Sequence, residues 1–190
     1  EVSFSFFENF PYASVKLTDV LIMGKDSNIM DTLLYAKEGH LQFNIFNFLN
    51  EKQEISKVVL LKSKLNVKYD IDDNPNFKIF KEAKDKEKKI RINQIYFSDS
   101  KISYIHQKKN TNIKGITYKV LLEFQKEKQS DFLVNGDLYI QNLVVGKTDY
   151  INKKKCKIDA RFLASDSVFY IKNSILSIED VQFALAGKVK

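Results

Sequence analysis

The stretch DIDDNPN sets Asp70, Asp72, Asn74 and Asn76 two residues apart, the spacing at which the first half of a calcium loop offers its oxygen ligands. The sixth position of such a loop calls for glycine and holds Pro75, and the twelfth calls for glutamate and holds Lys81. The segment therefore reads as a solvated turn running into a helix. Other chemistry-bearing side chains are sparse. His40 and His106 are the two histidines and Cys156 is the single cysteine. None stands at metal-ligand spacing, and acid–base work would need partners that the sequence does not supply. Nucleophile motifs, glycine-rich phosphate loops and paired carboxylates are absent. No catalytic residue, metal or cofactor is expected, and Cys156 reads as a half-buried strand cysteine.

The remaining candidates are apolar stripes: Leu41, Phe43 and Ile45; Leu65, Val67 and Tyr69; Ile102 and Tyr104; Leu138 and Ile140; Ile158, Ala160 and Phe162; Val181, Phe183 and Leu185. Alternate side chains of a strand share a face, so each set lines one side of its strand. Such stripes do non-covalent work, filling a closed core or holding an apolar guest.

Strands must position them, and the chain is rich in β-formers, with 15 Phe and 9 Tyr. Period-2 patterning predicts strands over 2–7, 14–23, 33–45, 57–61, 64–69, 90–97, 101–106, 118–125, 131–143, 157–163, 167–172 and 175–186. Short helices are expected over 44–52 and 76–83, the second with Asn76 as N-cap. The run 81–89 reads as a charged, solvated connector. In FPYASVKLTDVLI the apolar parity slips by one, from Val15 and Leu17 to Val20 and Ile22, which predicts a bend or bulge at Asp19.

A repeat runs through the middle of the chain. ISKVVLLKSKLNVKY and INQIYFSDSKISYIH align at an offset of 92 − 55 = 37, matching Ile55 with Ile92, Leu60 with Phe97, Ser63 with Ser100 and Leu65 with Ile102. The shared pattern reads as strand, short polar turn, strand. A second phrase, apolar–polar–acid–Val, occurs in LTDV from Leu17 and IEDV from Ile178. Reuse of one supersecondary unit points to strands stacked side by side.

Composition bounds the rest. Apolar residues make up 44% and charged residues 29%, so the chain is neither disordered nor a membrane span. The longest aliphatic runs, VLIM and VVLL, fall far short of the ~20 residues of a bilayer helix. Net charge is +7, yet only Arg91 and Arg161 are arginines, so no nucleic-acid partner is expected. Glu1 opens directly on a strand pattern, and the 190 residues read as a single β-rich segment of a longer chain.

Residues 10–80 resemble the N-terminal region of the AsmA family of Gram-negative bacteria. The resemblance is carried by FPYASVKLTDV, LLYAKEGHLQFNIFNFLN and EISKVVLLKSKLNVKYDIDDNPN, and IRINQIYFSDSKISYI continues it. DTLLYAK and the lysine bias look most like members from Bacteroidetes. Members carry a glycine shortly before the Asn of the turn, where this chain has Asp72-Asp73-Asn74-Pro75-Asn76. The resemblance implies a periplasmic body held by an inner-membrane anchor that this chain does not include. That body would be a long, curved, largely antiparallel sheet, an open groove or half-barrel, conducting phospholipid to the outer membrane. The implied partners are phospholipid acyl chains, the membrane through that anchor, and other envelope proteins. Two short helices cannot roof about ten strands, so the stripes are expected to line an open groove. The alternative is a structural β-domain of an envelope complex, whose stripes would pack beneath a second layer.

Overall fold

The computed structural model describes residues 2–5, 11–24, 32–50, 54–77, 91–125, 128–165 and 168–189. The expected strand end at Phe6 and Phe7, the helix beyond Phe77 and the connector 81–89 lie outside the described residues. The elements are β1 (Val2–Ser5), β2 (Tyr12–Met23), β3 (Thr32–Asn44), α1 (Ile45–Leu49), β4 (Glu54–Ile55), β5 (Lys57–Tyr69), β6 (Arg91–Ile92), β7 (Gln94–His106), β8 (Thr111–Gln125), β9 (Lys128–Val145), β10 (Thr148–Ser165), β11 (Val168–Ile178) and β12 (Val181–Val189). Ten strands form one sheet in the order β1-β2-β3-β5-β7-β8-β9-β10-β11-β12, and β4 pairs separately with β6. Within the large sheet all pairs are antiparallel except β5 with β7. The sheet does not close, and β1 and β12 are its edges.

The sequence repeat is this parallel pairing. Val58 faces Ile95, Leu60 faces Phe97 and Leu65 faces Ile102 on β5 and β7, and Ile55 faces Ile92 on β4 and β6. The repeat offset is therefore the register.

The polar turns expected within each repeat are not breaks. β5 and β7 run uninterrupted, and a single left-handed residue stands where each turn was expected: Lys62 at φ 49 and Asp99 at φ 49. Asp19 at φ 54 is the same feature in β2 and accounts for the slip in its alternation. One such residue rotates the strand so that the side chains two before it and one after it share a face, which an alternating pattern registers as a phase change whether or not the strand ends. The phrase shared by LTDV and IEDV has two uses. In the first it kinks β2, and in the second Glu179, at φ 49, opens the two-residue turn between Ile178 and Val181.

Register tracks one face across the whole sheet. Leu17, Gly39, Leu60, Phe97, Val120, Gly136, Ile158, Leu176 and Phe183 are successive partners from β2 to β12. The adjoining row on the opposite face is Thr18, Glu38, Leu61, Ser98, Lys119, Asp137, Lys157, Ser177 and Gln182. One side is apolar and the other is mostly polar and charged, as expected of an antiparallel sheet with one wet face.

Nothing described lies over the apolar side. Every substantial contact between elements joins strands adjacent in a sheet, or β3 with the α1 and β4 that follow it. The chain exposes 13668 Å², whereas a compact globular protein of 22.1 kDa exposes only about 9,300 Å². Even so, Ala36 and Ser100 are 0% exposed, Ser63 1% and Thr117 3%. Ala36 belongs to a buried cluster with Leu60 and Phe97, against which Val20, Leu34, Val58, Leu65, Ile95 and Leu122 pack. The left-handed residues Asp19, Lys62 and Asp99 stand within two residues of Val20, Leu60 and Phe97.

Hydroxyls satisfy the backbone there. Ser63 N and Ser63 Oγ both donate to Ser100 Oγ, at 3.2 and 2.7 Å, and Ser100 Oγ donates to Ser98 O at 2.9 Å. Thr117 Oγ1 donates to Ser100 O at 3.2 Å. Ser174 repeats the device beside Asn173, another left-handed residue, accepting from Arg161 N at 3.1 Å and donating to Lys172 O at 3.0 Å. Ser100→Ala strands two buried donors of Ser63, and its unfolding free energy in urea should fall by about 1–3 kcal/mol.

Candidate functional site

The strand residues of the predicted stripes converge on the apolar face. Leu41 pairs with Val15 and Val58, and Phe43 with Ala13. Leu65 pairs with Ile102, and Val67 with Tyr104, while Tyr69 faces His106. Leu138 faces Thr117 and Cys156, and Ile140 faces Gly115. Ile158, Phe162, Val181, Phe183 and Leu185 extend the surface through β10, β11 and β12. Ile45 is the exception. Asn44 Oδ1 accepts from Phe46 N and Asn47 N at 2.9 and 3.3 Å, so the chain leaves the strand there and Ile45 begins α1. Sequence reasoning missed Leu60, Phe97, Val120 and Leu122 on the same face. Leu60 and Phe97 lie two residues before the left-handed Lys62 and Asp99, and Val120 and Leu122 follow the register shift between Thr117 and Lys119, where alternation changes phase.

Aromatic rings mark both ends of the surface. Across β8, β9 and β10, Phe132 stacks on Phe162 with centroids 5.3 Å apart and meets Phe124 at a tilt, 5.9 Å away. At the other end Tyr69 stacks on His106 at 4.9 Å and meets Tyr104 at 6.0 Å and Phe77 edge-on at 5.7 Å. Burial, with Tyr69 beside it, pushes the Tyr104 phenol above its usual pKa. Nine inter-strand gaps of ~4.8 Å give the surface a contour of about 43 Å, longer than the ~30 Å hydrocarbon thickness of a bilayer.

The titratable residues singled out from sequence have structural work. Asp70 Oδ1 accepts from Asp72 N and Asn74 N, each at 2.8 Å, and Asp70 Oδ2 accepts from Asn74 Nδ2 at 3.0 Å. These bonds, led by that of the Asn74 side chain, hold the Asp70 carboxyl below the usual carboxylate range. Asn76 is buried; its Oδ1 accepts from Lys68 N at 3.0 Å and its Nδ2 donates to Asn66 O at 2.9 Å. It therefore clamps the end of β5, and the helix it was expected to cap lies outside the described residues. No group of three or more His, Cys, Asp or Glu among the described residues is placed to hold a metal ion. His40 Nε2 sits 2.7 Å from Glu38 on the polar face, and Lys16 reaches the same carboxylate at 2.9 Å. Cys156 is buried on the apolar face, more so than expected, and burial raises its thiol pKa.

His106 is buried with Nε2 3.3 Å from Asp73 Oδ1, and Lys108 pairs with the other Asp73 oxygen. Lys108, and to a smaller degree His106, lower the Asp73 pKa. A carboxylate with a depressed folded-state pKa adds stability above its unfolded value, near 3.9, and loses it as pH falls through the folded one. Asp73→Asn should therefore flatten the decline of stability below about pH 4, read as urea midpoints along a pH series.

An open cavity of about 1000 Å³ lies by α1 and β4 and is lined chiefly by polar side chains, among them Gln42, Lys57, Gln94 and Glu123. These four belong to the polar side of the sheet, and Phe124, at the end of the apolar surface, also lines the cavity. No helix among the described residues is long and apolar enough to cross a membrane, which says nothing of strands. No family model, curated protein or solved structure matches the chain.

Proposed function

We propose that the chain is a segment of an envelope lipid-transfer protein, related to the AsmA family, whose apolar face conducts phospholipid between the inner and outer membranes. The observation that carries the reading is the row from Leu17 to Phe183, apolar across nine strands with no described layer over it. Each methylene exposed to water costs ~0.8 kcal/mol, so one acyl chain in water is uphill by roughly 10 kcal/mol. A continuous apolar surface removes most of that barrier. Its grip is non-directional, which suits a chain that slides, and no covalent step is required. The test is mass spectrometry of lipid retained by protein purified without detergent. Phospholipid in stoichiometric amount supports conduction, and protein free of lipid opposes it.

A second reading, a scaffolding β-domain, draws on β12. Among the described residues no strand pairs with its outer edge, and Val181 and Phe183 are 56% and 44% exposed. Strand addition by an envelope protein would cover both. It predicts protein cross-links from β12 in place of bound lipid.

A further inference from the structure

We infer that Lys154 is the docking point for the phosphate of a phospholipid whose acyl chains lie on the apolar face. The inference rests on the lipid-binding reading and names a headgroup contact within it.

Among the described strand residues that register places on that face, Lys154 alone carries a fixed charge. It faces Ile140 across the β9–β10 pair and lies two residues from the buried Cys156. Its position follows from the kink. Lys153 has φ 53 and is the left-handed residue of β10. In β2, β5, β7 and β11 the residue after the kink is Val20, Ser63, Ser100 or Ser174, each apolar or small. β10 has an exposed lysine there.

The sheet ends beside it. β11 stops at Ile178, the partner of Cys156, and Glu179 N donates to Lys155 O at the turn. Beyond that point β10 has no described strand on its outer side. Lys154 thus stands on the rim, with hydrocarbon-lined sheet toward β9 and water on the other side. A lysine stem lies along apolar surface while its ammonium stays wet, and a phospholipid has the matching division between tail and phosphate. Lys153 and Lys155 raise the local positive potential, and Glu179 at the turn accepts from Lys155 N at 3.1 Å. Lysine meets a phosphate as a compact point charge.

The experiment compares two fluorescent probes that differ only in the phosphate, phosphatidic acid and diacylglycerol of equal chain length, titrated into the full chain. Wild type is expected to bind phosphatidic acid more tightly. Lys154→Met should lose roughly tenfold in that affinity and keep diacylglycerol binding, and Lys154→Arg should restore the preference. Lys157→Met, on the polar face, should change neither. Wild-type affinity of Lys154→Met for both probes overturns the headgroup contact and leaves the lipid reading intact. Failure of wild type to bind either probe overturns both.

Discussion

Gly136→Ala is expected to lose roughly 4 kcal/mol or more of unfolding free energy, the largest stability effect of any single change proposed for this chain. Gly136 sits in the row between Val120 of β8 and Ile158 of β10. An added Cβ would lie 2.0 Å from Lys119 O and 2.7 Å from Val120 Cα. Both are backbone atoms, so no rotamer relieves the clash and β8 must separate from β9. Its φ of +152° adds strain for any L side chain. Gly187→Ala is the control, since nothing lies within 4 Å of its Cβ position; a change within about 0.5 kcal/mol is expected. Urea midpoints decide, and a wild-type midpoint for Gly136→Ala contradicts the close approach of β8 and β9.

The second large effect concerns binding. The combined variant Val67→Glu, Ile102→Glu and Phe183→Glu puts carboxylates on three strands of the apolar face, β5, β7 and β12. A carboxylate cannot enter hydrocarbon without a desolvation cost of several kcal/mol, so retained lipid should fall at least tenfold. Phe183 is 44% exposed and the Val67 and Ile102 side chains are partly exposed, so the new charges can reach water and the β-sheet circular dichroism should persist. Had the face been a closed core, the same variant would unfold. A folded variant that retains lipid as wild type does contradicts conduction along this surface.

Much of the fold was legible because its devices are local. The parity slip at Asp19 is a left-handed residue in β2, and the 37-residue offset is the β5–β7 register, made visible in the Ser63–Ser100 hydrogen bond. The apolar cluster after Asn44 announced α1, and the capping role of the Asn44 side chain emerged only with the structure. Strand continuity was hidden, since a kink and a chain break leave the same phase change in an alternating pattern. The starts of β8 and β10 were missed for a related reason: register shifts beside Gly115, Thr117 and Ile151 scramble the alternation there. The candidate surface was read in separate stripes, and only register joins them into one face. Whether anything covers that face is not a local property, because a strand beneath a second layer and one facing an open groove carry the same alternation.

Site-specific photo-crosslinking tests sidedness most directly. A photoreactive side chain at Ile102, on the apolar face, is compared with one at Ile116, on the opposite face, after irradiation of the protein with its lipid bound. The account predicts acyl-chain adducts from position 102 and none from position 116. Equal labelling at both positions, or labelling at 116 alone, contradicts it.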